Sequence, residues 1–370
     1  MKKLKVLCVI DDLAAGGAQR QLVNIAIVLK NKGHDITFVT YNYREFYKEV
    51  LKDAGIRIYL IDEKFPILRL WKFRKFIRTN HYTSVISFLG VPSLLATFAA
   101  FPFKKFVLIV GERSSNPKIK SSIRSKLIRV FYPFANYIVS NSYANKNLVK
   151  SILPFISDEK FKVIYNCLDL NKFKSDSSFL FRSNERFQII IPASYRPVKN
   201  LIGLIEAVRL LDKTMQNCLL IRWFGDKSKG ACDDIMLKEA ILLINQYKLT
   251  DIFELNNLTR EISSVMKTCD AVGLFSFFEG LPNAICEGMA CSKPIIATAV
   301  SDVPLLIEDG VNGFICNAIS PKSISHALIQ LLKLNTEELI EMGNRNRRKA
   351  DKLFAQIDIT DAYETLLLKN

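Results

Sequence analysis

Short apolar runs rich in Val, Ile and Phe alternate with helix-like stretches along this chain. In the first half the runs are KVLCVI, DITFVT, RIYLI, SVISFL, KFVLIV and YIVSN. In the second they are FQIIIPAS, CLLIRWFG, IFELNN, AVGLFS, PIIAT and GFICN. Runs with so few polar positions need cover on both faces, and parallel strands flanked by helices supply it. QRQLVNIAIVLKNKGH is one such helix: Leu22, Ile25, Ala26 and Leu29 recur at i, i+3, i+4 and i+7, and Gly33 stops it. Between the two series lies KSDSSFLFRSNERF, a polar stretch of turn residues that marks a boundary. The pattern predicts two doubly wound, Rossmann-like α/β domains, 1–175 and 187–351, with a helical tail from about Thr336 that leaves the second domain. A length of 370 residues suits two domains better than one.

Two segments resemble membrane signals. MKKLKVLCVI begins like a signal peptide, but Lys5 interrupts it and Asp11-Asp12 follow, so a buried first strand is expected. VISFLGVPSLLATFAAFPF has 19 residues without a charge, long enough to span a bilayer. Gly90, Pro92 and Pro102 divide it into strand, turn and short buried helix.

The net charge of +16 is unevenly spread. Residues 1–175 carry 30 Lys+Arg against 12 Asp+Glu, and residues 176–370 carry 22 against 24. The first half is therefore expected to face something anionic, such as a membrane surface, nucleic acid or a phosphorylated substrate. RLWKFRKFIR (69–78) and KIKSSIRSKLIR (118–129) mix cations with apolar residues. As helices, each aligns a stripe: Leu70, Phe73 and Ile77 in one, Ile119, Ile123 and Leu127 in the other. Either stripe can simply face the core. Two of them in a basic half also suit an anionic membrane. The eight cysteines show no CxxC spacing and fall mostly in apolar runs, so small buried thiols are expected rather than a metal site or disulfides.

In open α/β sheets, ligands bind where strands enter helices, beyond the carboxyl ends of the strands. Four such loops carry candidates. DDLAAGGAQRQ places Gly16 and Gly17 at a helix start, where free N–H groups favour a phosphate, although a tight turn explains them equally. PASYRPVKNL presents Arg196 and Lys199, either a diphosphate-binding pair or ordinary surface charge. RWFGD ends a strand at Gly225, and FELNN ends one at Asn256-Asn257. The last loop is FFEGLPNAICEGMAC. Here Glu279 precedes Gly280, Leu281, Pro282 and Asn283, and Glu287 follows inside the helix. The two acids would grip two parts of one elongated ligand with the helix start between them. Stabilisation of the helix dipole by Glu287 is the competing explanation.

FSFFEGLPNAICEGMACSKPIIAT resembles the Glu–seven residues–Glu signature of retaining glycosyltransferases of family four, which have the GT-B fold. GGAQRQLVNIA, ANYIVSNSYANKNLV, KVIYNCLDLNKF, SYRPVKN and SDVPLLIEDGVNGF are similar to other segments of that family in the same order, so the resemblance spans nearly the whole chain. It implies two Rossmann-like domains facing a cleft, with a C-terminal crossover helix at about 352–370. It implies that Glu287 holds the donor ribose, and that Glu279, with Gly280 and Leu281, contacts the donor sugar and phosphates. Arg196 and Lys199 would hold the diphosphate, which Gly17 would approach. The donor would be a nucleotide-diphosphate sugar, UDP by family habit, with no metal or other cofactor. The acceptor would be a lipid-linked molecule or glycan at the inner face of the plasma membrane. The chain departs from the family at Ser194, where an arginine is usual, at Cys167, where glycine is common, and at Leu305, where glutamate is common. Many relatives have a histidine on the acceptor side. Here that loop reads VGERSSNP and offers Glu112 or Arg113. A basic nucleic-acid-binding protein also fits the charge, but no nucleic-acid module is visible. A non-catalytic sugar-binding scaffold and a same-fold nucleotide-sugar epimerase are the other rival expectations.

Overall fold

The computed structural model describes residues 2–369 except 114, 115, 177, 178, 182–184, 229 and 231. The Ser114-Ser115 pair of the VGERSSNP loop and residues 177, 178 and 182–184 of the polar boundary stretch therefore lie outside the described residues.

The chain forms two compact units. The first comprises Met1–Cys167 with Gln356–Asn370, and the second Leu168–Ala355. In the first unit the strands are β1 (Lys5–Val9), β2 (Asp35–Thr40), β3 (Arg57–Leu60), β4 (Ser84–Phe88), β5 (Val107–Glu112), β6 (Tyr137–Ser140) and β7 (Phe161–Val163). They make one sheet in the order β3-β2-β1-β4-β5-β6-β7, and every pairing is parallel. In the second unit β8 (Phe187–Pro192), β9 (Leu219–Gly225), β10 (Phe253–Asn257), β11 (Ala271–Leu274), β12 (Ile295–Thr298) and β13 (Gly313–Cys316) make a parallel sheet ordered β10-β9-β8-β11-β12-β13. The first and fourth strands of each unit are neighbours, so strand order reverses there. That is the place where loops part and ligands enter in doubly wound sheets.

The expected apolar runs are these strands. β7 is an addition: it is only three residues long, in a stretch without a continuous apolar run. MKKLKVLCVI is the buried central strand β1, and VISFLGVPSLLATFAAFPF is β4 followed by the helix Gly90–Ala100. Among the described residues no helix is long and apolar enough to cross a membrane.

Each sheet is covered on both faces. In the first unit Val6 and Cys8 of β1, with Ile10 just past its end, pack toward Leu22, Ile25 and Leu29 of the helix Gly17–Asn31. Leu7 and Val9 face Phe73, Ile77 and Ala96 on the other side. The tail divides at Ala355. Helix Thr336–Phe354 stays with the second unit, and helix Gln356–Leu368 lies against the first. Its Glu364 accepts from Lys32 Nζ at 2.6 Å and lies 2.9 Å from His34 Nε2. His34 Nδ1 accepts the Leu4 N–H at 3.1 Å, so Nε2 carries the proton given to Glu364.

The two basic amphipathic stretches behave differently. Phe73 and Ile77 of the helix Pro66–Thr79 are fully buried, as a core-facing stripe requires. Ile123 and Leu127 of the short helix Ile123–Ile128 are instead 75% and 62% exposed. Only Ile128 turns inward, toward Gly90. Six residues are too few for a helix to present a whole stripe to the core, so the core reading of Ile123 and Leu127 does not hold.

Candidate functional site

In the second unit the candidate residues gather beyond the carboxyl ends of β8 and β11. The β8 loop ends in one turn of 3-10 helix, Pro197–Lys199. Asn200 then adopts a left-handed conformation (φ 61°), and its side chain caps the helix Leu201–Arg209 by accepting from Gly203 N. Its amide also donates to Ala318 O at 2.8 Å. The β8 and β11 loops are joined by a backbone bond from Phe277 N to Val198 O, 2.9 Å. This brings Lys199 Nζ onto Glu279 Oε1, an oxygen that also accepts from Ser276 Oγ at 2.6 Å. Both side chains are partly enclosed, 22% and 13% exposed. Thr298 at the end of β12 donates to Ser276 O at 2.7 Å, and Ser301 donates to Gly280 O. The loop carrying Glu279 is thus held by Val198, Thr298 and Ser301. The sequence reading missed these supports and Ser276. For Ser276, Thr298 and Ser301 the only signal is a hydroxyl residue at or just beyond a strand end.

Leu281 and Pro282 are buried and lead into the helix Asn283–Ala290, whose start has no side-chain cap. Glu287 lies on this helix and is 5% exposed, among Ile285, Cys286, Gly288 and Met289, all buried. It sits about one turn from the helix start, where the helix-start charge has already weakened. Gly288 lets the helix lie directly on the sheet: a Cβ there would meet Val272 Cβ at 2.8 Å. Lys199 and Glu279 form a polar edge at the carboxyl ends of β8 and β11, and Glu287 lies about one turn into the helix that follows. Arg196 is exposed at the start of the same loop.

Two donor-side candidates have structural work. Gly225 is packed closely: a Cβ would meet Ala193 O at 2.4 Å and the Tyr195 ring at 3.0 Å. Its lack of a side chain is explained by that contact. Tyr195 in turn donates to Asn256 O at 2.7 Å, and burial pushes its hydroxyl well above the usual range. Asn257 is exposed, and its Oδ1 accepts from Leu258 N at 2.9 Å and Lys227 N at 3.3 Å, which makes it a turn former.

In the first unit Gly16 and Gly17 begin the helix Gly17–Asn31, again with no side-chain cap. Gln19 folds back over Gly16 and donates to Asp11 Oδ1 and Asp12 Oδ1, both at 3.1 Å. Burial, with Asp12 beside it, raises the Asp11 carboxyl above its ordinary value.

The two acceptor-side candidates separate. Glu112 is 4% exposed. Arg129 holds both of its oxygens, at 2.8 and 2.9 Å, and Tyr132 Oη donates to Oε1 at 2.6 Å. This makes Glu112 the buried counter-charge of Arg129, an arrangement that argues against contact with an acceptor. Arg113 is part-buried and held in place: it stacks on the Phe88 ring at 3.9 Å and donates to Asn166 Oδ1 at 3.0 Å and to Tyr363 Oη. Cys167 is fastened through its N–H to Gln21 Oε1 at 2.7 Å, and burial pushes its thiol up to about 11. Among the described residues no three His, Cys, Asp or Glu side chains come together as a metal site would need.

Residues 15–172 match the family described as "Glycosyltransferase Family 4", and residues 173–349 match "Glycosyl transferases group 1". A Campylobacter jejuni protein is 25% identical over 99% of this chain and all of its own length. It is named N-acetylgalactosamine-N,N'-diacetylbacillosaminyl-diphospho-undecaprenol 4-alpha-N-acetylgalactosaminyltransferase. The amylovoran biosynthesis glycosyltransferase AmsD of Erwinia amylovora is 24% identical over 89% of this chain and 90% of its own. Among solved structures, Anabaena Alr3699/HepE in complex with UDP superimposes with a TM-score of 0.84 at 21% identity, covering 98% of this chain and 99% of that one. At that identity the likeness speaks for the fold.

Proposed function

Since the chain belongs to the family 4 glycosyltransferases, we propose that it is a retaining enzyme that moves a hexose or N-acetylhexosamine from a UDP-sugar to a lipid-linked or glycan acceptor. The product would be a cell-surface polysaccharide or lipopolysaccharide, made at the inner face of the plasma membrane. The observation that carries the reading is the polar edge of the second unit. There the Lys199–Glu279 pair, an uncapped helix start and the buried Glu287 share the carboxyl ends of neighbouring strands. The C. jejuni relative is named for a diphospho-undecaprenol acceptor, and HepE was solved with UDP. Both agree with the substrate classes proposed.

In this reading Glu287 accepts hydrogen bonds from the ribose diol. The diphosphate lies against the Lys199 ammonium, the Arg196 guanidinium and the N–H groups of Gly280, Leu281 and Asn283. Glu279 contacts the sugar. The bond from the anomeric carbon to the β-phosphate oxygen breaks and its electron pair leaves with the diphosphate. Cations and N–H groups fixed in advance stabilise that charge without reorganising. The acceptor hydroxyl oxygen bonds to the anomeric carbon on the same face, and its proton passes to a leaving phosphate oxygen. Arg113 orients an anionic or sugar portion of the acceptor.

The test uses vesicles containing a polyprenyl-diphosphate sugar and a panel of radiolabelled UDP-hexoses and UDP-N-acetylhexosamines. Label moving into the lipid fraction, with the α anomer by NMR, supports the reading. An inverted linkage contradicts the retaining mechanism. Release of an epimerised UDP-sugar without transfer favours the epimerase.

A further inference from the structure

From residue 64 to residue 157 the chain carries 16 Lys+Arg and one acid, Glu112. That acid is enclosed by Arg129 and Tyr132. Glu63 and Asp158, at its two ends, pair with Lys72 and Lys150 at 2.7 and 2.5 Å, and the stretch keeps a large excess of cations. It is also unusually apolar. Ile67 is 71% exposed and Trp71 58% on the helix Pro66–Thr79, and Ile123 and Leu127 project from the helix Ile123–Ile128. Lys75, Arg124 and Lys126 on the same two helices are exposed as well.

The two helices belong to one surface. Trp71 meets Phe98 edge-on at 5.4 Å, and Phe98 meets Phe131 at 5.6 Å, so a row of rings ties both through the helix Gly90–Ala100. Arg74 lies over the Phe98 ring and donates to Phe98 O at 2.7 Å. The surface also has a direction. Helix Pro66–Thr79 follows the carboxyl end of β3, and Ile128 contacts Gly90, just past the carboxyl end of β4. The apolar tips therefore lie toward the edge of the sheet that carries Arg113.

We propose that this face inserts into an anionic bilayer, with Ile67, Trp71, Ile123 and Leu127 entering the headgroup and acyl boundary and the cations meeting lipid phosphates. An apolar strip among an excess of cations is complementary to such an interface. A protein partner or a second copy would be expected to leave binding indifferent to lipid charge. The inference deepens the reading of a lipid-linked acceptor: it puts the bilayer on the edge where that acceptor would be handled.

Trp71 supplies the probe, since the other tryptophan, Trp223, is fully buried. Full-length protein is mixed with vesicles of phosphatidylcholine alone or with phosphatidylglycerol, and with lipids brominated in the acyl chain. We expect sedimentation, a blue-shifted emission and bromine quenching only with the anionic vesicles. Trp71→Phe should remove the optical signals and keep most of the sedimentation. Each of Lys75→Gln, Arg124→Gln and Lys126→Gln should weaken partitioning about fivefold. Serine at Ile67 and Leu127 together should weaken it at least about tenfold. Sedimentation without blue shift or quenching would overturn insertion, and so would equal binding to neutral vesicles. Thermal stabilisation by UDP, measured on the same variants, keeps the two ideas apart: it should persist in all of them, and its absence in wild type would count against the donor reading instead.

Discussion

Lys199 and Glu279, 80 residues apart in the chain, form an ion pair in which Ser276 Oγ donates to the same carboxylate oxygen at 2.6 Å. A cation fixed by a carboxylate and a hydroxyl costs little to order when charge develops on a leaving group.

Removing that cation should therefore affect chemistry more than folding. Lys199→Ala is expected to lower kcat by about 10²–10³-fold. Ser276→Ala, which leaves the pair but loosens it, is expected to cost about tenfold. Initial rates of label transfer at saturating donor measure both, and urea denaturation should show little change in stability.

Gly288 should be intolerant of even one methyl group. Gly288→Ala places a carbon 2.8 Å from Val272 Cβ. We expect a loss of about 1–3 kcal/mol, read by urea denaturation. Because the neighbouring residue is Glu287, weaker UDP binding in calorimetry should accompany it.

Glu112 and Arg113 are adjacent in sequence and should separate by experiment. Glu112→Gln leaves Arg129 without its buried counter-charge and should cost about 3–5 kcal/mol, while the folded fraction keeps its turnover. Arg113→Gln should raise KM for the acceptor and leave KM for the donor unchanged. Denaturation curves and steady-state kinetics on both variants check this.

The contact of the last helix with the first unit sets a pH dependence. Burial tends to raise the Glu364 carboxyl, but hydrogen bonds from Lys32 and His34 outweigh it and hold the group below its ordinary value. A depressed carboxylate contributes stability above its unfolded value, near pH 4.3, and loses it as pH falls through the folded value. Lys32 is raised by Asp361 and then Glu364, so its contribution is complete below the ordinary lysine range and is lost only at more alkaline pH. Glu364→Gln should cost about 1.5–3 kcal/mol at neutral pH and flatten the acid limb of a stability–pH profile.

The two parallel sheets were legible because buried central strands such as Val6–Ile10 and Ile189–Ile191 are apolar without interruption. β7 was not, since three residues carry too little pattern. Glu279, Glu287 and Lys199 were legible because spacing and loop chemistry mark them. What supports them was not. Thr298 and Ser301 act through single hydrogen bonds to backbone oxygens 22 and 21 residues away, and no local pattern encodes such pairings. Glu112 misled for a related reason. A charged residue at a strand end looks available until a partner 17 residues on is seen to enclose it. The stripe of Ile123 and Leu127 looked like core because periodicity reports a face and leaves its direction open.

In the proposed reading the second unit holds a nucleotide-diphosphate sugar with Glu287 on the ribose. The most direct measurement is the thermal shift of wild type and Glu287→Ala with UDP-, GDP-, ADP- and TDP-sugars, since a ligand that binds the native state raises its melting temperature by mass action. UDP-sugars are expected to stabilise wild type and to lose that effect in Glu287→Ala. A well-folded wild type that shifts with none of the four, or a Glu287→Ala variant that shifts as much as wild type, would contradict it.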